Sequence, residues 1–258
     1  MESFSYRKSA DILALSASIT DFAYKKHCHE EYALGVTLRG VQQYTLDGSF
    51  QSSTPGGVML FNREQYHDGS AFGKEGIDYF MLYLKQELVS DVIGKKELRF
   101  HSPIVYDRRL ASAICAVSRA VQQGQAEALC NELLLELVEA AAQTSASAPS
   151  RQGGQLVNKA REVIYSQLGG TLKLEELSSE FGMSRFQLIR EFKARTGISP
   201  YQYFLNAKVG QARLSIERSR DVYAAVAEFG FTDLTHLNRH FKSMFGITAH
   251  EYRLQLGS

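Results

Sequence analysis

Long apolar runs are missing from these 258 residues. No stretch of about 18 hydrophobic residues occurs, so no membrane span is expected. Residues 1–22 carry no extended apolar segment either, and no secretory signal is expected. Cysteine is scarce. Cys28, Cys115 and Cys130 lie far apart, lack metal-type spacing and cannot all pair with one another. None falls after residue 150, which argues against a zinc-held reactive cysteine set of the kind used in DNA-repair methyl transfer. Reduced thiols in a cytoplasmic protein are the expectation. Net charge is small too, with 29 Lys+Arg against 28 Asp+Glu. That balance hides an asymmetry. Residues 1–150 hold 14 basic and 18 acidic side chains, a net −4, whereas residues 151–258 hold 15 and 10, a net +5. A basic C-terminal half fits a polyanionic partner, though an excess of five is modest.

Hydrophobic content of 44% supports real cores, and the length suits one or two domains. The break falls at residues 144–154, TSASAPSRQGG, a small and polar stretch that reads as flexible linker. Before it, residues 24–86 read as short strands. Runs at 32–38, 41–46, 57–61 and 79–84 are separated by turn residues, clearest at Asp47-Gly48 and Pro55-Gly56-Gly57. Such spacing suggests a sandwich or small barrel. From Asp107 the period becomes helical. Leu110, Ile114, Val117 and Val121 form one stripe, and Leu129, Leu133, Leu137 and Ala140 a second. The second stripe suits either packing on the strands or a subunit interface. After the linker everything reads as helix, with cap signals at Thr171, Ser184, Ser199-Pro200, Asp221, Asp233 and Thr248.

The last hundred residues contain one pattern written twice. Glu180-Phe181-Gly182, Leu188, Arg190, Phe192, Lys193, Gly197-Ile198-Ser199 and Tyr203 return as Glu228-Phe229-Gly230, Leu237, Arg239, Phe241, Lys242, Gly246-Ile247-Thr248 and Tyr252. The second turn carries one extra residue. A repeat of this length means one supersecondary unit used twice. Each unit is helix, short turn, helix, at about 172–196 and 221–245, the layout of a helix-turn-helix reader of double-stranded DNA. Leu188 and Phe192, like Leu237 and Phe241, lie four apart and face inward. The opposite faces show Arg185, Phe186, Ile189, Arg190 and Lys193 on the first helix, and Leu234, Thr235, His236, Asn238, Arg239 and Lys242 on the second. Arg190 and Arg239 suit guanine edges, Asn238 adenine, and Phe186 or Leu234 a thymine methyl. Lys193 and Lys242 suit phosphates. Any one such side chain alone is most simply a solvated surface group; recurrence in register changes that weighting.

Residues 156–254 resemble the DNA-binding domain of the AraC/XylS family of bacterial transcription regulators. The signature runs MSRFQLIREFK from Met183, TGISP from Thr196, AEFGF from Ala227, NRHFK from Asn238, FGIT from Phe245, then Tyr252-Arg253. Lys208 stands where that family usually has Arg, Ser215-Ile216 where it has a Leu pair, and Ala249 where it has Pro. The resemblance implies a non-enzymatic, ligand-responsive regulator. Its partners would be promoter DNA, a small-molecule effector and RNA polymerase, and it would act as a homodimer without a cofactor.

His27-Cys28-His29, with Gly40, Pro55, Asn62 and His67, resembles a degraded cupin pattern. Metal-binding cupins place a Glu near residue 33, where this chain has Ala33, so no metal is expected; a three-histidine site of His27, His29 and His67 is the alternative. The AraC resemblance implies a sensor in this half. His27, His29, Tyr32, Tyr44, Tyr66, His67, Tyr79 and Tyr83 are the candidate ligand contacts, each of which serves equally as packing. The expected fold is therefore two-domain α+β. Residues 1–146 form a cupin-like β-barrel or jelly roll with trailing helices, 147–154 a linker, and 155–258 an all-α domain with two helix-turn-helix units. Two other functions fit less well: a metal-dependent cupin enzyme with an appended DNA-binding domain, and a regulator whose first domain binds a protein.

Overall fold

The computed structural model describes residues 2–94, 97–145 and 155–256. The expected linker, 147–154, lies outside them. The chain divides into two compact units, Met1–Ala148 with Leu254–Ser258, and Pro149–Arg253.

Among the described residues ten strands build the first unit: β1 Ser3–Ser9, β2 Ile12–Ile19, β3 Ala23–His27, β4 Tyr32–Arg39, β5 Gln42–Leu46, β6 Ser49–Ser53, β7 Val58–Phe61, β8 His67–Ala71, β9 Ile77–Leu84 and β10 Ile104–Val105. They make two antiparallel sheets, ordered β1-β2-β9-β4-β7-β10 and β3-β8-β5-β6. Period-two alternation assigns the faces of the larger sheet. On β9, Tyr79, Met81 and Tyr83 line a cavity shared with the smaller sheet. Leu82 and Leu84 on the same strand turn the other way, into a core with the helices. Those helices are α1 Gln86–Ile93, α2 Arg108–Gln122 and α3 Glu127–Thr144. Asp107 caps α2, its carboxylate accepting from the Arg109 and Leu110 amides. Leu110, Ile114, Val117 and Val121 are all buried, as their spacing predicts.

Strands β1 and β2 lie outside the span read as strands, and α1 was not anticipated. The stripe on α3 also shifts. Its buried members are Cys130, Leu134, Leu137, Val138, Ala140 and Ala141. Leu137 packs inside this unit, whereas Leu129 is exposed. The narrow stripe Leu129-Leu133-Leu137 is thus not one continuous face. The helix turns Cys130 and Leu134 inward instead, into the core it shares with α1 and α2.

The second unit is helical: α4 Gln155–Ser166, α5 Leu174–Ser179, α6 Arg185–Thr196, α7 Pro200–Ser219, α8 Val222–Glu228, α9 Leu234–Phe245 and α10 Ala249–Gln255. Ser184 and Gln187 form a reciprocal capping box on α6. Ser199, Asp221 and Asp233 cap α7, α8 and α9 through side-chain oxygens. Thr171 does not cap α5, since Lys173 holds that position without a side-chain bond. Both α6 and α9 end on a left-handed glycine, Gly197 at φ 76° and Gly246 at φ 78°. Their amides bond back to the carbonyls of Lys193 and Lys242.

α7 joins the two halves of this unit and is about 30 Å long at ~1.5 Å per residue. Its buried polar side chains are all engaged. Arg213 pairs with Glu217 at 2.5 Å, and the Tyr252 hydroxyl on α10 donates to the same carboxylate at 2.8 Å. The Ser215 hydroxyl donates to Glu228 on α8 at 2.6 Å. Ser215 therefore ties two helices where the usual leucine would only pack.

Candidate functional site

Two places in the chain collect chemistry: the outer faces of α6 and α9, and the cavity between the two sheets.

On α6, Leu188 and Phe192 are fully buried, while Arg185, Phe186, Arg190 and Lys193 are exposed and Ile189 is half-buried. On α9 the register repeats. Leu237 and Phe241 are fully buried, Thr235, Arg239 and Lys242 are exposed, and Leu234 is half-buried. Phe186 leaves 66% of its surface in water, an unfavourable place for a large apolar ring without a partner. Arg185 leans over that ring and pairs with Glu175 at 2.6 Å, which fixes its position beside α5. Two candidates on α9 are otherwise employed. The Asn238 carboxamide oxygen accepts the Ala249 amide at 2.9 Å, so the atom that adenine recognition needs instead caps α10. His236 is half-buried against Phe231 and His240, and its Nδ1 accepts the Thr232 amide at 3.4 Å. Both serve the turns around α9. This was not visible in the repeat, because the partner groups are backbone amides that any residue supplies.

The cavity is lined by Tyr24, His27, His29, Ala33, Gln42, Phe61, His67, Asp68, Gly69, Tyr79, Met81 and Tyr83. Its volume is about 30 Å³, room for one or two waters. Of the eight predicted contacts, His27, His29, His67, Tyr79 and Tyr83 meet there. Tyr32 does not. It sits on the helix-facing side of β4, where its hydroxyl donates to the Leu98 carbonyl at 3.1 Å and accepts the Leu98 amide at 3.0 Å. Tyr44 lies behind the cavity wall. Its ring packs on Phe61 and its hydroxyl donates to the Pro103 carbonyl at 3.2 Å. Tyr66 precedes β8 and is buried away from the lining. Tyr24, Gln42 and Asp68 were missed. Pairing of β3 and β5 with β8 brings them in, and that cross-strand register is not written in any local pattern.

The three histidines converge although His29 lies past the end of β3. Their ring centroids are 4.5 to 5.2 Å apart, and one nitrogen from each lies within 4.8 Å of the others. All three are buried. His27 Nδ1 sits 2.6 Å from the Lys25 carbonyl, and His67 Nδ1 2.9 Å from the Gln65 carbonyl. A carbonyl only accepts, so Nδ1 carries the proton in both rings and Nε2 the lone pair. Burial pushes the His27 ring down to about 3, with His67 contributing, and His67 itself to about 4. The rings are therefore neutral at physiological pH. Burial also raises the Tyr24 and Tyr79 hydroxyls, which share a 2.7 Å hydrogen bond.

Comparison with known proteins fits this division of the chain. Residues 9–138 match the AraC-like ligand binding domain, and residues 177–255 match a helix-turn-helix domain. The chain belongs to the AraC family of transcription regulators. Among its relatives is YbfI of Bacillus subtilis (strain 168), an uncharacterized HTH-type transcriptional regulator. It is 23% identical over 223 residues, covering 83% of this chain and 81% of YbfI. The multiple antibiotic resistance protein MarA of Escherichia coli (strain K12) is 34% identical over 92 residues, 35% of this chain and 72% of MarA. In solved structures the fold is shared with ToxT of Vibrio cholerae O395, at a TM-score of 0.59 and 10% identity over 96% of this chain and 99% of ToxT. A ToxT structure from strain SCE256, with unsaturated fatty acid bound, gives a TM-score of 0.60 and 14% identity over 96% of each chain. As an AraC-family member, the chain is a DNA-binding regulator with an N-terminal ligand-binding domain. Among the described residues no helix is long and apolar enough to cross a membrane.

Proposed function

We propose that this AraC-family regulator reads promoter DNA with α6 and α9 and is controlled by an effector of a few atoms held between its two sheets. One observation supports the DNA half most strongly. Arg190 and Lys193 on α6, and Arg239 and Lys242 on α9, stand exposed in matching register over fully buried Leu-Phe pairs. Each helix enters a major groove, with Arg190 and Arg239 on guanine edges and Lys193 and Lys242 on phosphates. Phe186 meets a thymine methyl, a contact that would cover its exposed ring. Residues 1–146 carry sensing and 155–258 DNA binding. No catalysis is assigned; the relatives are named as regulators.

The effector half is argued from size. A cavity of about 30 Å³ is far below the roughly 300–1,000 Å³ of sites for drug-sized molecules. An unsaturated fatty acid, as bound in ToxT, is too large for it. The exposed Leu129 and Leu135 on α3 support a subunit contact along that helix in a homodimer. RNA polymerase is the further partner at the promoter, which places the protein in the bacterial cytoplasm.

Selection of bound duplexes from a random-sequence pool tests the DNA reading. Enriched sequences should share two elements spaced by about one helical turn, some 10 base pairs. In anisotropy titrations on the selected duplex, Arg239→Ala should lose about 1–3 kcal/mol and relax the preference at one base. Parent-like affinity of that variant, or a pool without a shared element, would overturn the reading.

A further inference from the structure

We infer that His27, His29 and His67 hold one divalent transition-metal ion, which makes the cavity between the sheets a metal-sensing site. This deepens the functional reading, since it names the chemical class of the effector and rests on the cavity being the effector site.

Four observations converge. Three imidazoles from separate stretches of chain present nitrogens within 4.8 Å of one another. An ion bound at ~2.0–2.1 Å from each nitrogen sets ligand atoms about 3.4 Å apart, so the rings close on it by about an ångström. Second, two of the rings are already oriented as ligands are. Nδ1–H donates to a backbone carbonyl in His27 and in His67, which leaves Nε2 as the metal-binding atom. Third, the cavity of about 30 Å³ fits an ion with a water and excludes an organic metabolite. Fourth, Gln42 lines the same cavity, and its carboxamide oxygen is buried without a hydrogen-bond donor. An unpaired buried acceptor is costly; a hydrated ion supplies the missing donor.

The donor set also sets selectivity. Three imidazole nitrogens, with no carboxylate among the converging donors, suit Zn²⁺, Co²⁺, Ni²⁺ or Cu²⁺ over Mg²⁺ or Ca²⁺, which require oxygen. Ala33 lines the wall and supplies no ligand. Asp68 lines the same cavity but is not among the converging donors, so its carboxylate offsets part of the ion's charge and a position stays open for water or a small anion.

The test is a Co²⁺ titration of the full-length protein after chelator treatment. A visible d–d band should saturate at one ion per chain, and Zn²⁺ should abolish it. His67→Gln and His29→Gln should each weaken binding at least about 100-fold, as expected for losing one ligand of three, while Cys28→Ser leaves the band unchanged. Circular dichroism reports whether each variant folds. Should neither histidine variant fold, the parent itself decides: one equivalent of Zn²⁺ must raise its thermal midpoint. No band and no Zn²⁺-induced shift would overturn the inference. So would an undiminished band in folded His67→Gln, because the ion would then lie elsewhere. DNA binding is read separately by anisotropy. Lost duplex selectivity with an intact cobalt band counts against the regulatory reading, and the reverse counts against the metal.

Discussion

The Lys208 ammonium on α7 donates to the Gly230 carbonyl at 3.4 Å, in the turn between α8 and α9. The same nitrogen donates to the Gly170 carbonyl, before α5, at 2.8 Å. It also lies 4.8 Å from the centre of the Phe204 ring and 5.4 Å from that of Phe231. One buried cation thus ties the entrance of the first helix-turn-helix unit to the turn of the second. Burial lowers its pKa, and the two carbonyls and two rings compensate for lost water. Lys208→Met keeps the length and removes the donors. It leaves both carbonyls short of a partner and should destabilise the C-terminal domain by about 1–3 kcal/mol. Thermal unfolding checks the size, and an unchanged midpoint would show that the clamp is idle.

Gly230 is constrained from the other side of that clamp. It sits at φ +57°, and a Cβ there would lie 2.5 Å from the Gly169 carbonyl oxygen. Backbone, not a movable side chain, blocks the space. Gly230→Ala should therefore cost more than Lys208→Met and weaken duplex binding, since it pries the second unit from the first. Affinity equal to the parent's on the selected duplex would show that the placement of the two readers is not set here.

Asn238 separates a structural role from a reading one. Because its oxygen caps α10 through the Ala249 amide, Asn238→Ala should lose about 1 kcal/mol of stability. Base preference on the selected duplex should stay that of the parent. Asn238→Asp keeps the acceptor and should restore the stability measured without DNA. A changed preference at an adenine in Asn238→Ala would return this residue to the base-reading set.

Lys193 and Lys242 close the first turns back from the C-terminal caps of α6 and α9, and both side chains are exposed. Phosphate contact predicts a uniform effect across sequences. Each Lys→Ala change should lower the slope of log affinity against log salt by about one. A sequence-dependent loss at constant slope would place these lysines on bases instead.

The C-terminal domain was legible because its information is local. Caps at Ser184, Ser199, Asp221 and Asp233, glycine stops at Gly197 and Gly246, and buried pairs four apart each occupy one turn of helix. What stayed hidden there depended on tertiary partners, as in the intramolecular hydrogen bonds of Asn238 and His236. The N-terminal domain was legible in kind but not in detail. The assignment of Tyr32 to the cavity failed because a strand has two faces, and which one meets the helices is decided by α2 and α3, far along the chain. His27, His29 and His67 were singled out together by their resemblance to a degraded cupin pattern. Their convergence needed the pairing of His27 with His67 across β3 and β8.

The first hairpin lacks a sequence signal for a physical reason that can be measured. Ser9 pairs with Ile12, so Ala10 and Asp11 alone make the turn between β1 and β2. Ala10 adopts φ +48°, the left-handed region that Gly or Asn usually fills in two-residue hairpins. No turn signal therefore stands in the sequence at this point. An alanine there carries a steric cost of about 1 kcal/mol. Ala10 is exposed, so a smaller residue leaves no void. Ala10→Gly should stabilise the N-terminal domain by up to about 1 kcal/mol, less the extra chain entropy that glycine brings to the unfolded state. Replacing Ala10 by Val, whose branched side chain tolerates positive φ least, should destabilise it by more than that. Chemical denaturation of the two variants beside the parent gives the order Gly, Ala, Val. Equal midpoints for all three would mean that the hairpin turns by another route.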